Sequence, residues 1–275
     1  MRLKVILLSA LTVFLSALPV PSARADIMLM PVRVLFDEHN RMANIMVLNT
    51  GDTTATFRLG WLYQMQVEGV GTYKTLDTAP NPALDPGKWI VFSPRQVTLP
   101  PGERQRVRLS LRRPADMPDG EYHVHLELKR LDGRDPLSPK GLKERQAKAG
   151  MSINIGFGIP VIIRQGQNDA DASLGTPRFV AASGNNPAAI TLTITRSGKF
   201  GTMGNLRVFW TPAGGNERFV GVVNNFNIFS EITRREAYVT LSVNQIPNGT
   251  IRVVYEGDGP DKGKTFDEKS FPVGG

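Results

Sequence analysis

Apolar and polar residues alternate with a period of two along much of this chain, and no long stretch carries the period of an amphipathic helix. Val107, Leu109 and Leu111 alternate with Arg106, Arg108, Ser110 and Arg112, giving one apolar and one cationic face. Tyr122, Val124, Leu126 and Leu128 alternate in the same way with His123, His125, Glu127 and Lys129. The Pro-Ala-Asp-Met-Pro-Asp-Gly segment between them is a turn. Both runs are predicted strands with one buried face, and His123 and His125 fall on the solvated side. Met151-Ser152-Ile153-Asn154-Ile155-Gly156-Phe157-Gly158 repeats the pattern, with large apolar residues against small or polar ones. Residues 132–150 before it are basic, contain Gly and Pro, and have almost no apolar periodicity. A strand behind such a segment can pair with its own sheet or be lent to another chain.

Further strands are predicted at residues 27–36, interrupted by Pro31, and at 42–48, 55–67 and 89–99. Proline cannot donate to a ladder, so Pro31 suits an edge or a bulge. Tyr122 follows Asp119 and Gly120, where an immunoglobulin-like sandwich places its tyrosine corner. With the run at 151–164 this makes seven strands, the count of an immunoglobulin-type domain. After a polar linker at 166–173, six more strand-like runs begin at 189, 205, 218, 238, 250 and 266. The predicted fold is all-β, an N-terminal immunoglobulin-like domain at 26–165 followed by a C-terminal β-sandwich at 174–275.

Residues 1–25 read as a secretory signal. Arg2 and Lys4 precede an apolar run at 5–17 that is too short to span a bilayer, and Ala23-Arg24-Ala25 offers a cleavage site. Cleavage makes Asp26 the first mature residue, removes Arg2, Lys4 and Arg24, and lowers the formal charge from +8 to +5. No membrane insertion is expected afterwards. A basic cytosolic chain would suggest nucleic acid as a partner; export argues against it. With no cysteine, an exported chain has no disulfides, and its stability must come from apolar burial.

Catalytic chemistry has little to stand on. There is no H-E-x-x-H, no G-x-S-x-G and no phosphate-binding glycine loop. His123 and His125 share a strand face, but two imidazoles without a third ligand make a weak metal site. No catalytic residue, metal or cofactor is predicted. Trp61, Trp89 and Trp210 would be platforms in a carbohydrate-binding sandwich, although strand aromatics more often belong to the core.

Three strings resemble the periplasmic chaperones of chaperone–usher pilus assembly, and more the archaic or alternative branch than the best-studied one. They are Val32-Arg33-Val34-Leu35-Phe36-Asp37-Glu38, Phe92-Ser93-Pro94-Arg95-Gln96-Val97-Thr98-Leu99-Pro100-Pro101-Gly102-Glu103, and Arg112-Arg113-Pro114-Ala115-Asp116-Met117-Pro118-Asp119-Gly120-Glu121-Tyr122. The match covers most of the first domain; in the second it rests on size and β character. The resemblance implies two immunoglobulin-like domains meeting at an angle, with a pilus subunit in the cleft. It also implies donor-strand complementation, in which the chaperone lends a strand to a subunit that lacks one, and delivery to an outer-membrane usher. By the resemblance the donor residues are Met151, Ile153, Ile155 and Phe157. Alternation alone leaves open whether these four face their own core instead.

The family also anchors the subunit's C-terminal carboxylate with basic residues. Arg33 matches the arginine of that motif. Pro160 stands where the better-known branch has a lysine, so the second anchor is unassigned, with Arg95 and Arg164 as candidates. Self-association of the free protein, by covering its own exposed strand, stays open. The competing readings are an exported structural pilus subunit and a carbohydrate-binding or hydrolytic β-sandwich protein.

Overall fold

The computed structural model describes residues 27–69, 72–131 and 156–273. The segment read as a secretory signal, residues 1–25, and three of the donor candidates, Met151, Ile153 and Ile155, lie outside the described residues. Among the described residues no helix is long and apolar enough to cross a membrane.

Two sheets enclose the first core. One has the order β1 (Ile27–Met30), β3 (Met42–Asn49), β8 (Arg104–Leu111) and β6 (Ile90–Ser93). The other runs β2 (Val34–Phe36), β10 (Gly156–Gln165), β9 (Gly120–Arg130), β4 (Ala55–Gln66) and β5 (Tyr73–Leu76), and β7 (Gln96–Leu99) also pairs with β4. The alternation read from the sequence holds where it was sharpest. Val107, Leu109 and Leu111 of β8, and Val124, Leu126 and Leu128 of β9, are buried against Phe36, Ile45 and Phe57. Arg104, Arg106 and Arg108 stand in solvent. The Tyr122 hydroxyl donates to the Pro118 carbonyl at 2.9 Å, the backward bond of a tyrosine corner.

Proline and turn chemistry explain where the strands differ from expectation. Pro31 divides the first run, so that β1 pairs antiparallel with β3 in one sheet and β2 pairs parallel with β10 in the other. The run at 89–99 is two strands, because Pro94 interrupts it and β6 and β7 join different sheets. A single helical turn, α1 (Pro86–Trp89), precedes them, with Asp85 accepting a bond from the Gly87 N–H at 2.9 Å.

The second core has its own pair of sheets. One contains β11 (Asp171–Leu174) and β12 (Arg178–Val180), both paired with β13 (Ala189–Ser197), which also pairs with β16 (Arg234–Thr240). The other has the order β15 (Arg218–Ile228), β14 (Thr202–Pro212), β17 (Gly249–Gly257) and β18 (Thr265–Val273). Ile194, Leu206, Val208, Val253 and Tyr255 meet between them. The architecture is thus all-β, two sandwiches each with its own core. β11 begins inside the segment read as a linker, because Ala172 and Leu174 alternate inward and carry a strand that the polar neighbours obscure.

Candidate functional site

Two features bear on binding: an open stretch of sheet edge on β10, and a polar cluster where the two sandwiches meet. β10 pairs antiparallel with β9 along its whole length, Gly156 opposite Lys129 through Gln165 opposite Gly120. Its other side is covered by β2 only at Val161, Ile162 and Ile163. Over residues 156–160 only one side of β10 carries a ladder among the described residues. Pro160 lies at the inner limit of that stretch, and an open strand side is where a missing N–H costs least.

Side chains on β10 divide by parity. Ile159, Val161 and Ile163 are buried in the first core, with Phe157 partly buried against it. Phe157, the one donor candidate that is described, therefore packs at home. The opposite parity holds Ile162, fully buried with Met203 and Phe229 of the second sandwich, and Leu35 packs against them. The outward face of this sheet is thus a covered surface at its β10 C-terminal end.

That cover corrects the expectation for His123 and His125. They point away from the first core, as the alternation required, but His125 is only 5% exposed. His123 stacks on Phe229, ring centroids 4.3 Å apart, and its Nε2 lies 3.1 Å from both carboxylate oxygens of Glu231. A period of two tells which residues share a face; it does not tell whether a second domain sits on that face. Glu231 also accepts from the Gln66 N–H at 2.7 Å. The Gln66 side chain acts as a strand partner, accepting from Phe229 N at 2.9 Å and donating to Asn227 O at 3.1 Å. Burial works to raise the Glu231 carboxyl, yet the His123 bond and charge and the Gln66 N–H together hold it below its usual range.

His125 gives this junction a pH dependence. Burial first, and then the neighbouring His123, push its imidazole from 6.5 down to about 4, against an upward pull from Glu231. In the unfolded chain the ring takes its proton near 6.5, so the unfolded state binds protons first as pH falls. This share of stability is complete above pH 6.5 and is lost between 6.5 and 4, by about 3 kcal/mol in all. Urea midpoints should therefore drop across that window, and His125→Gln should flatten this part of the slope. An unaltered slope in the variant would remove His125 from the account.

The three arginine candidates are placed differently. Arg33 lies just before β2 and reaches the second sandwich. Its Nη1 donates to Asn225 Oδ1 at 3.0 Å and lies 3.5 Å from Asn227 Oδ1, and its Nη2 pairs with Asp258. Burial works to raise the Asp258 carboxyl; the Gly259 N–H and Arg33 outweigh it and hold it below its usual range. Arg164, at the end of β10, is buried. It donates to Glu121 Oε2 at 2.9 Å, Asp261 Oδ1 at 3.3 Å and the Gly201 carbonyl at 2.6 Å. The structure brings Arg33 and Arg164 to one junction. Arg95 is exposed beside Phe92, across β9 and β4 from β10, with its carbonyl accepting from Leu59 N at 2.8 Å.

Sequence reasoning missed Gln66, Asn225, Asn227, Phe229, Glu231, Asp258 and Asp261. The only local signal for any of them is in β15, where Asn224, Asn225 and Asn227 interrupt the apolar residues Val222, Val223, Phe226 and Ile228. Among the described residues no group of three or more His, Asp or Glu side chains is placed to hold a metal ion.

No protein-family model matches the chain, and no curated protein matches it. Solved structures of chaperone–usher pilus chaperones are similar to it. The YadV chaperone is 11% identical, over 90% of this chain and 100% of that one, with a TM-score of 0.40. The complex of CsuC with the tip adhesion subunit CsuE, from the archaic Csu pili of Acinetobacter baumannii, gives 13% identity, 90% and 98% coverage, and a TM-score of 0.42. The Salmonella enterica SafA pilin in complex with the SafB chaperone gives 16% identity, 90% and 96% coverage, and a TM-score of 0.38.

Proposed function

We propose that this protein is a periplasmic chaperone for pilus subunits, which it caps by lending a strand and then passes to an outer-membrane usher. The observation that carries this reading is the uncovered side of β10 at residues 156–160, leading directly back to Met151, Ile153 and Ile155 in sequence. An unpaired edge offers backbone donors and acceptors to an incoming strand, and alternate apolar side chains offer affinity. Met151, Ile153 and Ile155 share the sequence parity of Phe157, which packs on the first core. A lent strand with that parity would turn its apolar side chains toward a groove continuous with this core, with Phe157 at the junction.

In this reading Arg33 anchors the subunit's terminal carboxylate, and the resemblance to the family supports that role. Arg164 is committed to Glu121 and Asp261 and has the position of a structural tie between the sandwiches. No enzymatic step is assigned. The domains proposed are 26–165 and 171–275, the second taken back from 174 because β11 and its Ala172 belong to the second core, with the mature chain beginning at Asp26.

Co-expression with a pilus subunit tests the reading. A stoichiometric complex should be recovered from a periplasmic extract, and the same subunit expressed alone should be degraded. A subunit that accumulates equally well without the chain overturns it.

A further inference from the structure

Arg33 is engaged before any ligand arrives. Its partners are set by the backbone of the second sandwich. Asn225 has a positive φ of 56°, a conformation that asparagine tolerates better than most residues. It sits at the irregularity between Gly204 and Leu206, where β14 and β15 shift register, and its N–H donates to Asn205 Oδ1 at 3.0 Å. Asp258 is held through its own N–H, which donates to the Met203 carbonyl at 2.8 Å. A carboxylate and two amide oxygens thus converge on Arg33 from positions that do not depend on it.

We propose that Asp258, backed by Asn225 and Asn227, is a resident competitor: it occupies the Arg33 guanidinium in the free protein and must yield when a ligand's terminal carboxylate binds. The proposal rests on the reading of Arg33 as the carboxylate anchor. A guanidinium pairs best with one carboxylate in a fork geometry. A second carboxylate on the same group would lie within a few ångströms of Asp258, and like charges at that range repel. Asp258 is placed to move, since its side chain is 39% exposed, whereas that of Arg33 is 14% exposed. The competitor lowers affinity and gives the anchor an internal partner to close on as the ligand leaves. A carrier that must release its cargo gains from both.

The probe is an N-terminally labelled alternating Val/Thr undecapeptide with a free C-terminal carboxylate, alongside its C-terminal amide twin, titrated by fluorescence anisotropy against the full mature protein. Asp258→Asn should tighten binding of the acid about tenfold, the scale of one charge-assisted hydrogen bond, and leave the amide unchanged. Binding of the acid only in the variant also supports the proposal. Asp258→Ser repeats the measurement if the amide disturbs the turn. If either variant leaves the acid-to-amide ratio unchanged or lowers it, while Arg33→Ala erases the wild-type preference, Asp258 is not a competitor and the anchor stands. If Arg33→Ala leaves the preference intact, the anchor reading fails and this proposal with it. Failure of both peptides to bind the wild type and the variants overturns it as well.

Discussion

Replacing Ile153 or Ile155 by aspartate is expected to abolish capture of a co-expressed pilus subunit while leaving the chain itself folded. Each isoleucine placed in an apolar groove contributes about 1.5–3 kcal/mol, and a buried, unpaired carboxylate in its stead adds a desolvation cost of its own. The combined loss exceeds about 4 kcal/mol, a thousandfold or more in affinity. Copurification from periplasmic extracts reads the loss, and the circular dichroism spectrum checks the fold. Phe157→Asp is the internal contrast. Because Phe157 packs on the first core, its replacement should lower the stability of the free protein, which the two isoleucine variants should not do. Normal capture by both isoleucine variants would take the donor role away from this segment.

The first core was legible because its strands are half-buried. From Val107 to Leu111 in β8 and from Tyr122 to Leu128 in β9 every second residue meets a core and the others meet water or a partner, so a period of two survives in the sequence. Short edge strands leave no such trace. β5 has three exposed residues of four, and all three residues of β12 are exposed. Nothing in their sequences separates them from loops; their pairing partners define them. Pro31 was visible as an interruption, whereas Pro94 was read through as part of one strand, and a sequence does not say that the chain changes sheets at such a proline.

The junction between the sandwiches was almost illegible, and the reason is separation along the chain. Arg33 meets Asp258 and Gln66 meets Phe229 across 225 and 163 residues. A polar residue that will be buried by a distant partner looks, locally, like one that will be solvated. His123 and His125 show the consequence, since the face on which they stand was correct and its environment was not. Arg164 was singled out as a basic residue near a strand end, where a solvated side chain is the common outcome. Its burial depends on Asp261 and Gly201, neither of which has any sequence signature that points to it.

Arg164→Met should be the most destabilising single change at the junction. The side chains of Arg164, Glu121 and Asp261 are 5%, 0% and 1% exposed, so removing the cation strands two carboxylates away from water. Breaking a buried pair in this way costs about 3–5 kcal/mol, much of it the penalty on the charge left behind rather than the net worth of the pair. If so, neutralising the partners should restore much of the loss. The triple change Arg164→Met, Glu121→Gln and Asp261→Asn should have a higher urea midpoint than Arg164→Met alone. Asparagine at 261 keeps an oxygen for the Met203 N–H, which Asp261 Oδ2 accepts at 3.0 Å. Burial already pushes the Glu121 carboxyl upward, opposed by the charge of Arg164. Without Arg164 only His123 and the Gly201 N–H still oppose that rise, so it grows, and the folded state of the variant binds a proton that the unfolded state has released. Its stability is then greater at low pH and is lost as pH rises through the folded value. The deficit of Arg164→Met relative to wild type should be smaller at pH 5 than at pH 8. An equal deficit at both pH values, with no recovery in the triple variant, would mean that lost packing rather than stranded charge sets the cost.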